Sequence, residues 1–320
     1  MITSNVLTKS CSLAVAALLI AAFTGCSNTE SPPAAVDSAG VAVPALGQGG
    51  SEAAQAVKAD AKVEALVPAD MKSAGSMQLV TDPTYAPIDF TDSTGKIIGL
   101  EPDLALAVGN KMGIKINISK GDFNGILAGL QSKRYDASWA AFSITPDRTA
   151  VVDMVSFMRG GTSVMVKKGN EGSYKTALDL CGKTVTAQTG TTQALTVLPA
   201  FEKQCTDAGK TPITPLLLPQ QDSANQSIAS NRAQAMLADN ALTAYYSQVQ
   251  PEAFAQIDSI LVEPSLAGVA MAKGDGQLAN AFQAAIQSLI DDGTYATIMG
   301  AWNLTASSVT TSEINPEVAG

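Results

Sequence analysis

An α/β fold built in two successive blocks is what this sequence predicts, and three observations predict it. Strand-like and helix-like patterns alternate from residue 77 to residue 292. The composition is 46% hydrophobic and only 15% charged, which supplies a packed core and is unlike a disordered chain. At 320 residues there is room for two domains of ordinary size.

In the first block, residues 77–81 read as a short strand stopped by Asp82-Pro83. A helix over 103–112 is closed by Gly113, and 114–118 alternates like a strand. Residues 123–131 return to helical spacing, with Ile126, Leu127 and Leu130 on one face. A buried strand follows at 137–142, Thr145-Pro146 opens a helix, and 163–166 is again a strand. The second block has strands at 184–187, 215–218, 233–238, 260–263 and 268–272. Its helices fall at 191–204, 224–230, 240–248 and 276–292, the last with apolar Leu278, Phe282, Ile286, Leu289 and Ile290.

Formal net charge is −9, with sequence pI ≈ 4.6. Nucleic acid is therefore not the expected partner, because phosphate backbones demand a surplus of Lys and Arg. Histidine is absent, which removes Ser-His-Asp and Cys-His nucleophiles and imidazole-ligated zinc together. Composition leans toward binding rather than chemistry, and no cofactor or metal is expected.

Lys9 precedes an apolar run at residues 13–23, shorter than the about 20 residues of a membrane-spanning helix. The run fits a secretory signal peptide over 1–25. Phe23-Thr24-Gly25-Cys26 resembles the lipobox of bacterial lipoproteins, with Phe23 in place of the usual Leu. That resemblance implies acylation of Cys26 and a lipid-anchored protein on the extracytoplasmic face of the cell membrane; ordinary cleavage with a leftover thiol is the alternative. Cys11 lies in the removed segment, which leaves Cys181 and Cys205 as an expected disulfide of an exported protein. Closing that loop contributes about 3 kcal/mol. Residues 26–75 read as a tether followed by short helices, the coil at 27–51 reaching roughly 25–30 Å. Residues 305–320 are polar and are expected to be disordered.

Several stretches between residues 79 and 304 resemble the amino-acid-binding family of solute-binding proteins that feed ABC importers. They are TDPTYAP at 81–87, IGLEPDL at 98–104, DFNG at 122–125, FSITPDR at 142–148, QTGTTQ at 188–193, ADN at 238–240 and DGTY at 292–295. Each motif is weak alone, and their order and spacing carry the resemblance. It implies a type II periplasmic-binding-protein fold: two α/β lobes joined by two hinge strands, with a ligand captured between them. The first lobe would be 76–164 plus 269–304 and the second 167–266, with crossings near Met165 and Gly268. A binding cleft between lobes also agrees with the rule for open α/β sheets.

The resemblance assigns Arg148 to a ligand α-carboxylate and Asp239, from the other lobe, to its α-ammonium. Read alone, Arg148 is equally a surface residue paired with Asp147 or Asp153, and Asp239 equally a helix N-cap. Thr191 and Thr192 begin a helix whose N–H groups can meet a carboxylate, or are simply caps; Ser143 adds a hydroxyl. Tyr85 and Phe123 match the aromatic pair around the ligand side chain, with a core role as the plainer reading of Phe123. Asp82 matches an acid that meets a polar side chain, or caps the turn at Pro83. Gln188 falls in the side-chain pocket. Ala140 and Ala141 stand where many relatives carry Ser or Gly lining the cleft, and Trp139 beside them is bulkier than usual.

The function these residues imply is capture of a polar L-amino acid, cationic ones included, by a monomer that delivers it to ABC permease subunits. Two alternatives remain open on the sequence. One is an exported enzyme on the same scaffold, similar to cyclohexadienyl or arogenate dehydratases, drawing on Asp82, Glu101 and Asp239 as carboxylates. The other is a ligand sensor without a transporter.

Overall fold

The computed structural model describes residues 48–317, so Cys26, the expected leader and most of the expected tether lie outside the described residues. Three short helices come first: α1 (Gln48–Ala56), α2 (Ala61–Leu66) and α3 (Ala69–Ala74). They do not hang free. Ala54, Val63, Val67 and Met71 are buried in the main core cluster, where α1 packs on α4 (Leu100–Met112) and α11 (Thr294–Ala301).

Strand β1 (Ser76–Thr81) leads into three small strands, β2 (Thr84–Tyr85), β3 (Asp89–Thr91) and β4 (Ile97–Ile98). These make a separate three-stranded sheet that sequence periodicity cannot show, because two or three residues hold no period. Helix α4 ends at Gly113, whose φ of 67° supplies the left-handed C-cap. Next come β5 (Lys115–Lys120), α5 (Phe123–Gln131), β6 (Ala137–Ser143), α6 (Pro146–Val151) and the long β7 (Val152–Lys167).

The second block continues with β8 (Thr184–Gln188), α7 (Leu198–Asp207), β9 (Thr214–Leu218), α8 (Gln221–Ala229), β10 (Ala235–Asp239) and α9 (Asn240–Val249). The 19-residue β11 (Phe254–Ala272) and α10 (Gly276–Asp291) return the chain to α11. The stretch expected as one helix over 191–204 opens with a π-helical turn, Gln193–Val197, before α7.

One eight-stranded sheet runs β5-β1-β6-β11-β7-β10-β8-β9. Its middle pair serves both halves. Residues 152–160 of β7 pair with 265–272 of β11, beside β6 and β1, while 162–167 of β7 pair with 254–262 of β11, beside β10 and β8. Register breaks between Val262 and Ser265, opposite Gly160 and Thr162, mark the crossing. Met165 pairs with Met236 of β10, so it lies inside the second half, and the β7 crossing is at Gly160-Gly161. Gly268 pairs with Ser156 of β7 and Phe142 of β6, so it lies inside the first half, and the β11 crossing falls between Val262 and Ser265 instead. Cys181 and Cys205 are bonded and tie the chain before β8 to α7.

The polar C-terminal stretch departs from expectation. Between residues 152 and 160 the edge of β7 away from β11 has no strand beside it, since β10 starts pairing only at Thr162. Residues 312–315 take that edge, satisfying backbone groups that would otherwise be buried without partners. Asn315 N–H donates to Met154 O at 2.7 Å, and Met154 N–H to Asn315 Oδ1 at 2.9 Å. Ser312 Oγ donates to Ser156 O at 2.8 Å, and Glu313 N–H to Ser156 Oγ at 2.9 Å.

Candidate binding site

The C-terminal ends of β1, β6, β8 and β10 converge where the two halves meet, around a narrow cavity. Asp82, Tyr85, Phe123, Ala141, Ser143, Arg148, Gln188, Thr191, Thr192 and Asp239 all line it, with Ala140 and Gln193.

Arg148 is positioned by local sequence. Thr145 is the N-cap of α6, its Oγ1 accepting from Arg148 N–H at 3.3 Å, and Pro146 occupies the first helical position. The guanidinium is buried and rests over the rings of Phe142 (5.1 Å) and Phe123 (5.8 Å). It donates to Ser143 O at 2.9 Å and, across to the second half, to Gly190 O at 3.0 Å. Asp153 pairs instead with Lys273 at 2.9 Å, so the surface-pair reading of Arg148 fails there. Burial pushes the Arg148 pKa down to about 10, partly offset by the charge of Asp239.

Asp239 stands at the N-cap position of α9 yet makes no side-chain capping bond. Its carboxylate accepts from Gln193 Nε2 at 2.7 Å, and its N–H donates to Tyr85 Oη at 3.1 Å. Desolvation raises its pKa to about 6 against the lowering effects of Tyr85, Gln193 and Arg148. Gln193 also donates to Thr162 Oγ1 at 2.9 Å, tying the π-helical turn to β7. Gln193 lies within the QTGTTQ run, but only the threonines beside it were singled out on the sequence.

Asp82 is buried at the end of β1. It accepts from Gln188 Nε2 at 2.7 Å, Thr84 Oγ1 at 3.1 Å and Phe123 N–H at 3.3 Å. Desolvation raises its pKa, and these bonds oppose the rise. It therefore caps its own turn through Thr84 and also bridges to the second half through Gln188. Phe123 belongs to both readings: it stacks on Phe142 at 4.5 Å within a core cluster and exposes an edge to the cavity. Thr191 caps locally, donating to Gln188 O at 2.7 Å and accepting from Ala194 N–H at 3.2 Å. Thr192 Oγ1 lies 3.3 Å from Ser143 Oγ, another contact between halves.

Behind Ala141 lies a group the binding motifs do not predict. Ala141 has φ of 49°, costly for a residue with a Cβ, and its N–H donates to Glu101 Oε1 at 2.7 Å. Glu101 in turn hydrogen-bonds Asp89, both fully enclosed, and Asp89 accepts from Thr81 Oγ1 at 2.7 Å. Desolvation and mutual repulsion push Asp89 well above the carboxylate range, and desolvation raises Glu101. Asp89 Oδ1 and Glu101 Oε2 receive no hydrogen bond from a donor, which together with burial favours a protonated carboxyl in the pair. Trp139 instead packs in the main core cluster, edge-on to Phe157 at 5.1 Å, and does not line the cavity.

A two-part α/β molecule closed over a polar, charged cavity is the architecture of a solute-binding protein. The chain belongs to the bacterial extracellular solute-binding proteins, family 3, which it matches over residues 77–305. It is 30% identical over 247 residues to the arginine-binding protein ArgT of Corynebacterium glutamicum, covering 76% of this chain and 79% of that one. Among solved structures it resembles an ancestral arginine-binding protein bound to arginine: TM-score 0.64, 32% identity, 71% of this chain and 98% of the other. It also resembles the ancestral amino acid-binding protein AncCDT-1, a precursor of cyclohexadienyl dehydratase, at TM-score 0.66 and 28% identity, covering 73% and 97%.

Proposed function

We propose that this protein captures an L-amino acid with a cationic side chain, arginine foremost, and delivers it to an ABC permease. The observation that carries the reading is the charge count of the cavity. Arg148 and Asp239 come from opposite halves and suit the two charges of a zwitterion, which leaves Asp82 as a surplus carboxylate beside Phe123 and Gln188. A guanidinium or ammonium side chain neutralises Asp82 and stacks on Phe123, adding about 0.5–2 kcal/mol of cation–π attraction. Only the closed arrangement offers both head-group partners, so ligand shifts the population toward closure about the Gly160-Gly161 crossing. Acylation at Cys26 would hold the protein at the membrane.

Calorimetric titration against the twenty amino acids tests this. The expected result is tightest binding of arginine, weaker binding of lysine, and no heat with aspartate or glutamate. No heat with any amino acid defeats the proposal. Steady turnover of prephenate or arogenate replaces it with the dehydratase reading, whose motivation is the resemblance to AncCDT-1. Cys26→Ser should release the protein from the membrane fraction if the anchor is real.

A further inference from the structure

The carboxyls of Asp89 and Glu101 do not line the cavity, yet they stand directly behind its wall. Local sequence puts them there. Gly99, with φ of 139°, precedes α4, and a Cβ at that position would strike Ile88 O. The first turn of α4 therefore lies tight on the backbone leading into β3, with Glu101 N–H donating to Ile88 O at 3.0 Å. Glu101, in that turn, meets Asp89, the first residue of β3.

Two links run from the pair to the place proposed for the ligand head. Glu101 Oε1 holds the N–H of Ala141, a wall of the cavity in a left-handed conformation. Asp89 lies opposite Tyr85 in the β2–β3 pairing, and Tyr85 Oη accepts from Asp239 N–H at 3.1 Å. The titratable groups acting on the pair are Asp82 on Asp89 and Asp239 on Glu101, with the Tyr85 phenol beside Asp89. No ion pair among the described residues includes either carboxyl. Burial raises Glu101 toward neutrality, and negative charge on Asp239 opposes its ionisation further. A cation that neutralises Asp239 removes that opposition.

We infer that Asp89 and Glu101 form a proton store coupled to the ammonium position: seating an α-ammonium on Asp239 drives a proton from the pair to solvent. This deepens the proposed function and rests on its pairing of the ammonium with Asp239. The pair passes from two protons to one, and the remaining proton stays on Asp89 and is donated to Glu101. The carboxylate so formed adds negative charge behind Ala141, which favours cationic ligands over neutral ones. Glu101 is a positioning residue, since it meets the ligand only through Ala141 and the field it sets. Reciprocity then requires affinity to rise with pH over the range in which the proton is expelled. Asp239 itself, with a pKa of about 6, adds little to this at pH 7 because it is already mostly ionised there.

Calorimetry of the full chain with L-arginine at pH 7, in phosphate and in Tris, counts the protons because the two buffers differ in ionisation enthalpy. The wild type should release roughly 0.3–0.5 proton per arginine bound and gain about threefold in affinity from pH 6.5 to 8. The double variant Asp89→Asn with Glu101→Gln keeps acceptors for Thr81 Oγ1 and Ala141 N–H but cannot ionise. It should release less than about 0.1 proton and gain less than about 1.5-fold. Asp89→Asn alone puts an amide donor where the protonated acid stood and should keep at least about half of the release, a separation that a purely structural role would not produce. Arginine binding without proton release in the wild type overturns the inference, as does undiminished release in the double variant, and either result leaves the proposed function standing. The wild-type count decides even if a variant fails to fold. Absence of binding by any amino acid removes both.

Discussion

The two halves of the sheet hold one cavity by different means. The first contributes a buried guanidinium, a buried carboxylate and aromatic faces: Arg148, Asp82, Tyr85 and Phe123. The second contributes amides and hydroxyls, Gln188, Gln193, Thr191 and Thr192, with Asp239 as its single charge. Scaffolds differ in the same way. The first half is sealed by segments flanking the family-matched region, α1–α3 and the tail, and the second by a disulfide. The lesson is a division of labour: fixed ions on one wall, adaptable neutral donors on the other, joined by contacts such as Gln188 to Asp82 and Arg148 to Gly190.

That contrast can be broken first at its charges. Arg148→Ala should weaken arginine binding about a thousandfold, whereas Gln193→Ala on the opposite wall should cost about tenfold. Equal effects in calorimetry would erase the distinction between walls. Replacing both Cys181 and Cys205 by serine should lower unfolding stability by about 3 kcal/mol. Hydrogen exchange would sharpen this by showing lost protection in β8 and α7 while β1 and β5 keep theirs. In the first half, Asn315→Ala removes bonds to Met154 and Asp153 and should cost about 1–2 kcal/mol in denaturant titration, with the second half unaffected.

The smallest effect should be the response to pH. Asp103, held by Trp302 Nε1 at 2.8 Å beneath Gly50 of α1, has its pKa raised to about 6 by desolvation. The Asp89–Glu101 pair is raised as well. Groups raised in the folded state bind more protons than the unfolded chain, so their stabilisation is full below the unfolded carboxylate pKa and is lost as pH rises through the folded one. The ligand-free protein should therefore melt a few degrees higher at pH 5 than at pH 8, and Glu101→Gln should flatten that slope. Arginine affinity should move the other way, falling below about pH 6 as Asp239 protonates.

Much of this organisation was legible in the sequence because local patterns encode it. Phe123–Gln131 is an amphipathic helix read to the residue, and Thr145-Pro146 marks the turn that presents Arg148. All ten residues picked out by motif face one cavity, since each sits at or near the end of a strand. What escaped depends on neighbours distant in sequence. β11 read as two short strands, and residues 152–162 of β7 were not read as strand. The register breaks there interrupt the pattern, and continuity comes from pairing with each other. The tail looked disordered because its polar side chains and backbone bond an open sheet edge, which composition does not record. The Asp89–Glu101 contact joins residues from β3 and α4 that no motif links.

Without a single imidazole, the chain lacks the side chain that ordinarily buffers near neutrality. Enclosure of Asp103 and Asp239 rebuilds that capacity from aspartates, each brought to about 6. The molecule's electrophoretic mobility between pH 5 and 7 thus reports on its interior: a variant that wets either carboxyl makes the protein more anionic while its amino-acid inventory stays the same.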